Sequence, residues 1–156
     1  MRDVYITFTA TQYFDESSYY LKRVVREAVK ATLDHEDFPY DAEVSVTFCD
    51  NEYIRGLNKE FRNVDRHTDV LSFPMYENGE FDEVECQGGA VLGDIVISIE
   101  RAKEQAREIG NTFHHEIAFL TVHSVLHLLG YDHERSPEDE EEQCQRQRAI
   151  IENVDI

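Results

Sequence analysis

The sequence lacks tryptophan and has only three prolines, three cysteines and few basic side chains. Cys49, Cys86 and Cys144 are odd in number, far apart and without CxxC spacing, which argues against a disulfide framework. No apolar run approaches the roughly 18 residues that cross a bilayer. The amino-terminal stretch MRDVYITFTA alternates like a strand and does not resemble a signal peptide. We therefore expect a soluble, reduced protein of the cytoplasm.

The charge balance is strongly acidic, with 33 acidic against 15 basic side chains and a net charge of −18. This excludes a globally basic, non-specific nucleic-acid binder, although it leaves room for a local basic groove. A chain of 156 residues, 41% of them hydrophobic, can bury a core without disulfides or a structural metal. We expect residues 1–156 to form a single domain.

The hydrophobic periodicity predicts strands alternating with helices. The predicted strands are residues 4–9, 43–49, 70–73 and 91–97, and the last is apolar enough for a central position. The predicted helices are residues 17–33, 51–61, 98–109 and 112–129, with another beginning near Ser136. Asp50 and Ser136 are the predicted N-caps of the second and the last of these helices. Residues 75–89, with three glycines and many acids, predict an exposed hairpin or loop. These elements indicate an α+β or α/β layered domain.

Three histidines are concentrated in the segment from His123 to His133. His123 and His127 are four residues apart in a predicted helix, so they lie ~40° apart around its axis and ~6 Å apart along it. Gly130 suits the left-handed position that ends a helix, and a turn there can bring His133 toward the same point. Three neutral imidazoles with one open position form the usual catalytic zinc arrangement. The pattern predicts one zinc ion per chain, bound by His123, His127 and His133.

The same residues allow other interpretations. Histidines on a helix are often only packed or surface residues. The spacing HxxxHxxGxxH also matches metzincin proteases, which need a glutamate directly after the first histidine as general base. That position is Ser124 here, which disfavours a zinc peptidase. A structural zinc is a further alternative, for which Cys144 would be the fourth ligand to check.

Three blocks of the sequence resemble one known family. The segment HSVLHLLGYDH (residues 123–133) closely resembles the HGxLHLxGYDH signature of the YbeY family of bacterial endoribonucleases. LNKEFR (57–62) with TDVLSFP (68–74), and LGDIVI (92–97), resemble the family's other marker segments in the same order. Ser124 departs from the pattern, since the family usually has glycine there.

The resemblance implies a small mixed four-stranded sheet packed with about five helices around a single zinc site. It implies cleavage of single-stranded RNA, in 3′-end maturation of small-subunit (16S) ribosomal RNA and in ribosome quality control. The implied partners are ribosomal RNA and the small ribosomal subunit or its proteins, with no DNA and no membrane. The implied metal ligands are His123, His127 and His133, and the implied catalytic residue is Arg62. A ribosome-associated factor with a structural metal remains a non-catalytic alternative.

Arg62 also suits the chemistry, because a guanidinium can bind two phosphoryl oxygens at once. The alternative is a surface arginine paired with Glu60 or Asp65. The stretch 55–67 has a local basic excess that predicts either an RNA-binding track or a solvated helix face, through Arg55, Lys59, Arg62 and Arg66 with His67 beside them.

Acidic residues supply two further expectations. Asp94 and Asp132 are candidates to orient a ligand imidazole. The acidic run 138–142 predicts a solvated first helical turn or a contact with a basic partner.

Overall fold

The computed structural model describes residues 2–14, 19–132 and 134–155. Its four strands are β1 (Val4–Ala10), β2 (Ala42–Cys49), β3 (Val70–Pro74) and β4 (Ala90–Ser98). Its five α-helices are α1 (Tyr19–His35), α2 (Asn51–Arg62), α3 (Ile99–Ile109), α4 (Phe113–Leu128) and α5 (Pro137–Ile151). The predicted start of the first helix, Ser17, lies outside the described residues.

The four strands form one mixed sheet in the order β1-β2-β4-β3. β1 and β4 pair with β2 in parallel, and β3 pairs with β4 antiparallel. The prediction of an α+β fold with a mixed four-stranded sheet and five helices is confirmed. β4 lies inside the sheet, as its apolar composition predicts, and β3 is an edge strand next to α4.

The helices cover the two faces of the sheet unequally. α1 and α4 pack together, and their apolar side chains join those of β2 and β4 in the main core. A smaller cluster on the other face joins α2, through Ile54, to Leu71 and Val96 of the sheet. α4 contacts α1, α3, α5, β3 and β4, so it is the central helix of the molecule.

Side chains cap the starts of four helices, including the predicted N-caps Asp50 and Ser136. The side chains of Asp50, Ser98, Thr112 and Ser136 each accept a backbone N–H of the first turn of the helix that follows. Pro137 occupies the start of α5, where its missing N–H costs nothing. These caps fix where α2 and α4 begin, and therefore the register of the residues that reach the candidate site.

The segment 75–89 is largely exposed, as predicted, although part of it packs against the body of the protein. It contains two short 3-10 helices, Glu77–Gly79 and Glu85–Gly88, and Cys86 is buried. Phe81 packs edge-on against Phe38 with ring centroids 5.1 Å apart. Within the described ranges, no helix has both the length and the apolar character needed to cross a membrane.

Candidate active site

The two histidines of α4 are placed by a helix that is otherwise buried. Ten of the sixteen α4 residues are buried, whereas His123 and His127 are only half-buried. Their four-residue spacing puts both on one face, as predicted. Both line a cleft of about 230 Å³ between α4 and the edge strand β3. The face of α4 that departs from the apolar pattern is therefore the one that meets this cleft.

The chain reverses direction directly after α4. The N–H of Gly130 donates to the carbonyl of His127, and the N–H of Tyr131 donates to that of Leu126, at 3.0 and 3.1 Å. These two bonds form a Schellman motif, which requires the positive φ of 109° seen at Gly130. The prediction that Gly130 takes the positive-φ position at the helix end is confirmed. His133, the third predicted ligand, lies outside the described residues.

A partly buried network of hydrogen bonds and an ion pair holds this turn. The Tyr131 hydroxyl donates to Glu36 at 2.6 Å, and Arg146 of α5 donates to the other Glu36 oxygen at 2.8 Å. The Arg146 guanidinium also lies 4.9 Å from the centre of the Tyr131 ring. Burial alone would raise the pKa of Glu36, but hydrogen bonds from Tyr131, His35 and Arg146 outweigh it and lower the pKa. Burial, and then the bond to Glu36, raise the pKa of Tyr131 to about 12.

Two glutamines of α5 hold the ring of His123. Gln147 Oε1 lies 3.1 Å from His123 Nδ1, and Gln143 Nε2 lies 3.3 Å from the same nitrogen. Both glutamines are buried. When Nδ1 carries the proton and donates it to Gln147, the lone pair of Nε2 is left available to a metal ion. Sequence reasoning missed this pair, although its i,i+4 spacing on one face of α5 was a usable signal.

Arg62 reaches the same cleft from the opposite side. It is the last residue of α2, and the left-handed Asn63 that follows ends the helix. Its guanidinium lies 3.4 Å from Glu134, and the two side chains are 48% and 63% exposed. The predicted alternative partner Asp65 pairs instead with Arg55, at 2.8 Å. An exposed pair of this kind is worth only about 0–1 kcal/mol, so Arg62 can exchange Glu134 for an anionic ligand.

The acidic candidates differ in their positions. Asp132 lines the cleft, where it accepts the N–H of Glu134 at 3.0 Å and lies 3.6 Å from Arg135. A larger neighbouring cleft of about 510 Å³ shares His127 and Asp132 with this one. Asp94 is exposed on β4 and lines neither cleft.

Cys144 and Ser124 do not reach the clefts either. Cys144 is exposed on α5, next in sequence to the buried Gln143, and it lines neither cleft. This removes the support for a fourth ligand. Ser124 is fully buried within α4, and its hydroxyl has no hydrogen-bond partner among the described residues. It therefore cannot replace the general base that a metzincin requires.

The described residues include two of the three predicted metal ligands, His123 and His127. Among residues 2–14, 19–132 and 134–155, no three His, Cys, Asp or Glu side chains form a group that could hold a metal ion. His123 and His127 fit two positions of a three-histidine site, because they share one helix face and one cleft. The oriented Nδ1 of His123 suits ligation through Nε2.

The comparisons with known proteins identify a family for this chain. The family model described as Endoribonuclease YbeY matches residues 7–155. Endoribonuclease YbeY of Acetivibrio thermocellus is 46% identical over 142 residues, which cover 85% of this chain and 86% of the relative. Its counterpart in Caldanaerobacter subterraneus subsp. tengcongensis is 52% identical over 126 residues, covering 76% and 78% of the two chains.

A solved structure supports the same relationship. The solution structure of a protein from Thermotoga maritima matches with a TM-score of 0.61 at 31% identity, covering 96% of this chain and 88% of that one. The sheet order, the paired histidines of α4 and the opposed arginine of α2 thus occur in a chain that the family model matches almost from end to end. The chain belongs to the YbeY family of endoribonucleases.

Proposed function

We propose that this protein is a metal-dependent endoribonuclease that cuts single-stranded RNA, with one zinc ion per chain bound by His123, His127 and His133. The observation that carries the proposal is the shared cleft of about 230 Å³, in which Arg62 of α2 faces the two histidines of α4. A positive guanidinium opposite two metal-type ligands suits a phosphodiester, because its cleavage builds negative charge on the non-bridging oxygens. Membership in an endoribonuclease family supports the same chemistry.

Different residues would orient the metal ligand, bind the phosphoryl group and hold the turn after α4. Gln147 accepts the Nδ1 proton of His123 and so keeps Nε2 aimed at the metal position. Arg62 binds and orients the phosphoryl group by two parallel N–H donors. The network of Glu36, Tyr131 and Arg146 keeps the turn after α4 fixed. A bound zinc ion would supply Lewis acidity, which activates water or polarises a phosphoryl oxygen.

The biological assignment follows from the proposed activity. We place the protein in the cytoplasm, where it would act in 16S ribosomal RNA 3′-end maturation and in quality control of the small ribosomal subunit. Residues 1–156 would work as one domain. Most side chains of the acidic run 138–142 are exposed at the start of α5, which suits docking on a basic ribosomal protein. Such docking would offset the repulsion between RNA and a chain of net charge −18.

A comparison of two histidine variants tests the metal and the activity together. The wild type, His127→Ala and His114→Ala are purified without chelator, analysed for zinc, and assayed for single-turnover cleavage of matched single-stranded and double-stranded RNA. His114 begins the same helix ~20 Å away and contacts Tyr20, so it is a matched control. We expect one zinc per chain and single-strand cleavage in the wild type and in His114→Ala, and the loss of both in His127→Ala. Equal zinc content or equal cleavage in His127→Ala would contradict the proposal.

A further inference from the structure

A second cavity lies on the other side of Arg62 from the histidines. Its volume is about 320 Å³, and among the described residues Arg62 alone lines both this cavity and the cleft of His123 and His127. Arg66 and His67, from the loop after α2, and Arg101 of α3 also line it. In so acidic a chain, three arginines around one cavity are a local reversal of charge.

The charges around this cavity are not all available to a ligand. Arg101 is held by Glu104 and Glu108, each at 3.2 Å. Asp69, the acidic residue that lines the cavity, accepts the Val70 N–H at 2.7 Å and the Gln105 amide at 3.0 Å. Within the described part of the chain, the Arg66 side chain has no hydrogen bond or ion pair, and Arg62 has only its long contact with Glu134. Arg62 and Arg66 are therefore the donors that a phosphate group would meet.

A buried amide adds a second, independent feature. Asn58 lines the cavity, is 2% exposed, and donates from Nδ2 to the carbonyl of Arg66 at 2.9 Å. That bond fixes the loop that carries Arg66. Asn58 Oδ1 has no donor among the described residues, and a buried acceptor without a donor is unfavourable. A hydroxyl group entering the cavity can supply the donor, directly or through one water.

We infer that this second cavity is a nucleotide subsite for the RNA substrate, next to the bond that is cut. Arg66, together with Arg62, binds the neighbouring phosphate, and Asn58 receives the ribose 2′-hydroxyl. This inference rests on the proposed function and adds to it a means of selecting RNA over DNA, since only RNA carries that hydroxyl. Arg62 as the shared wall would place successive phosphates on its two sides.

The phosphate contact is tested with zinc-loaded wild type, Arg66→Ala and Arg107→Ala. Arg107 is an exposed arginine of α3 that does not line this cavity. Its replacement changes the net charge by the same amount as Arg66→Ala and leaves the cavity intact. Stopped-flow anisotropy, read before cleavage, gives the Kd of single-stranded RNA across a salt series, and single-turnover assays give KM and kcat. Arg66→Ala should raise Kd and KM ~3- to 10-fold, keep kcat within about twofold, and reduce the salt slope by ~0.7. Arg107→Ala should match the wild type.

The hydroxyl contact is tested with the same sequence made as 2′-fluoro RNA, which keeps the RNA sugar pucker but has no hydroxyl donor. The wild type should bind RNA ~3- to 10-fold more tightly than 2′-fluoro RNA, the range of one neutral hydrogen bond. Asn58→Leu should lose this preference; if this variant does not fold, the wild-type comparison and the Arg66 series still decide.

The outcomes separate this subsite from the proposed function. Wild type that binds RNA as described but does not cut it overturns the nuclease assignment and leaves the subsite standing. Wild type that cuts RNA, with Arg66→Ala unchanged in KM and salt slope or with no preference over 2′-fluoro RNA, overturns the subsite. The absence of RNA binding by the wild type overturns both.

Discussion

Replacement of Gln147 should weaken metal binding without touching a ligand. His123 Nδ1 lies between two amides that favour opposite tautomers of the imidazole. The oxygen of Gln147 can accept a hydrogen bond from a protonated Nδ1, whereas the amide N–H of Gln143 can donate one to an unprotonated Nδ1. Gln147→Leu removes the acceptor and keeps the Gln143 donor, which favours the proton on Nε2, where it blocks ligation. In Gln143→Leu only the Gln147 acceptor remains, which favours the tautomer with Nε2 free for the metal.

The two substitutions should therefore change zinc affinity unequally. Loss of a hydrogen-bond partner behind a metal-ligating histidine costs ~10- to 100-fold in affinity, so Gln147→Leu should lose ~1.4–2.8 kcal/mol of binding free energy. Gln143→Leu should keep or improve the affinity. Zinc titration against a chromophoric chelator measures both, and Gln145→Leu, an exposed site on the same helix, controls for the change of residue type. Melting of the metal-free proteins checks that each variant folds.

Two results would refute this reasoning. Unchanged zinc affinity in a folded Gln147→Leu protein would show that the hydrogen bond does not orient a ligand. Equal weakening by Gln143→Leu and Gln147→Leu would show that both amides present their oxygens to Nδ1 and do not compete.

Three further substitutions test separate parts of the structure. Arg62→Lys keeps the charge but loses the planar fork of the guanidinium, so the rate of single-turnover cleavage should fall ~10²-fold. The melting temperature should stay within about 2 °C of the wild type, because the ion pair with Glu134 is exposed. A wild-type cleavage rate in this variant would contradict the role of Arg62. Tyr131→Phe removes the hydroxyl bound to Glu36 and should cost ~1.5–3 kcal/mol in denaturant unfolding, and a smaller loss would show that the network does not hold the turn. Burial raises the pKa of Glu116, so folding favours its protonated form and the contribution of Glu116 to wild-type stability falls as the pH rises above the ordinary value of 4.5. Glu116→Gln should therefore raise the melting temperature at pH 7 and lose this advantage below pH 4.5, and a pH-independent difference between the two proteins would contradict the assignment.

Local signals predicted the parts of the site that local chemistry determines. The i,i+4 spacing of His123 and His127 requires only the helix period, and both residues do share one face of α4. Gly130 requires only the backbone preference of a helix end. The caps at Asp50 and Ser136 are likewise decided within four residues. Each of these predictions is confirmed because no distant segment takes part in it.

Long-range packing decided what the sequence pattern did not show. Nothing near Arg62 indicates that it faces α4, because that approach depends on β3 joining the sheet edge beside the central helix. The partner of Arg62 is Glu134, 72 residues away, and not the neighbouring Asp65. The basic track was also divided by packing: Arg55 pairs with Asp65, whereas Arg66 lines the second cavity. Such contacts are properties of the assembled sheet and helices.

The same packing separates residues that serve activity from residues that serve both activity and stability. Arg62 lies at an exposed helix end, so its loss should change phosphate binding and leave the fold intact. His123 is held by the buried Gln143 and Gln147, so a change there disturbs the contact between α4 and α5 as well as the metal position. A metal site that forms only when these two helices pack must contribute its binding free energy to folding. Metal removal should therefore lower the melting temperature of the Arg62 variants as much as that of the wild type, since Arg62 takes no part in that coupling.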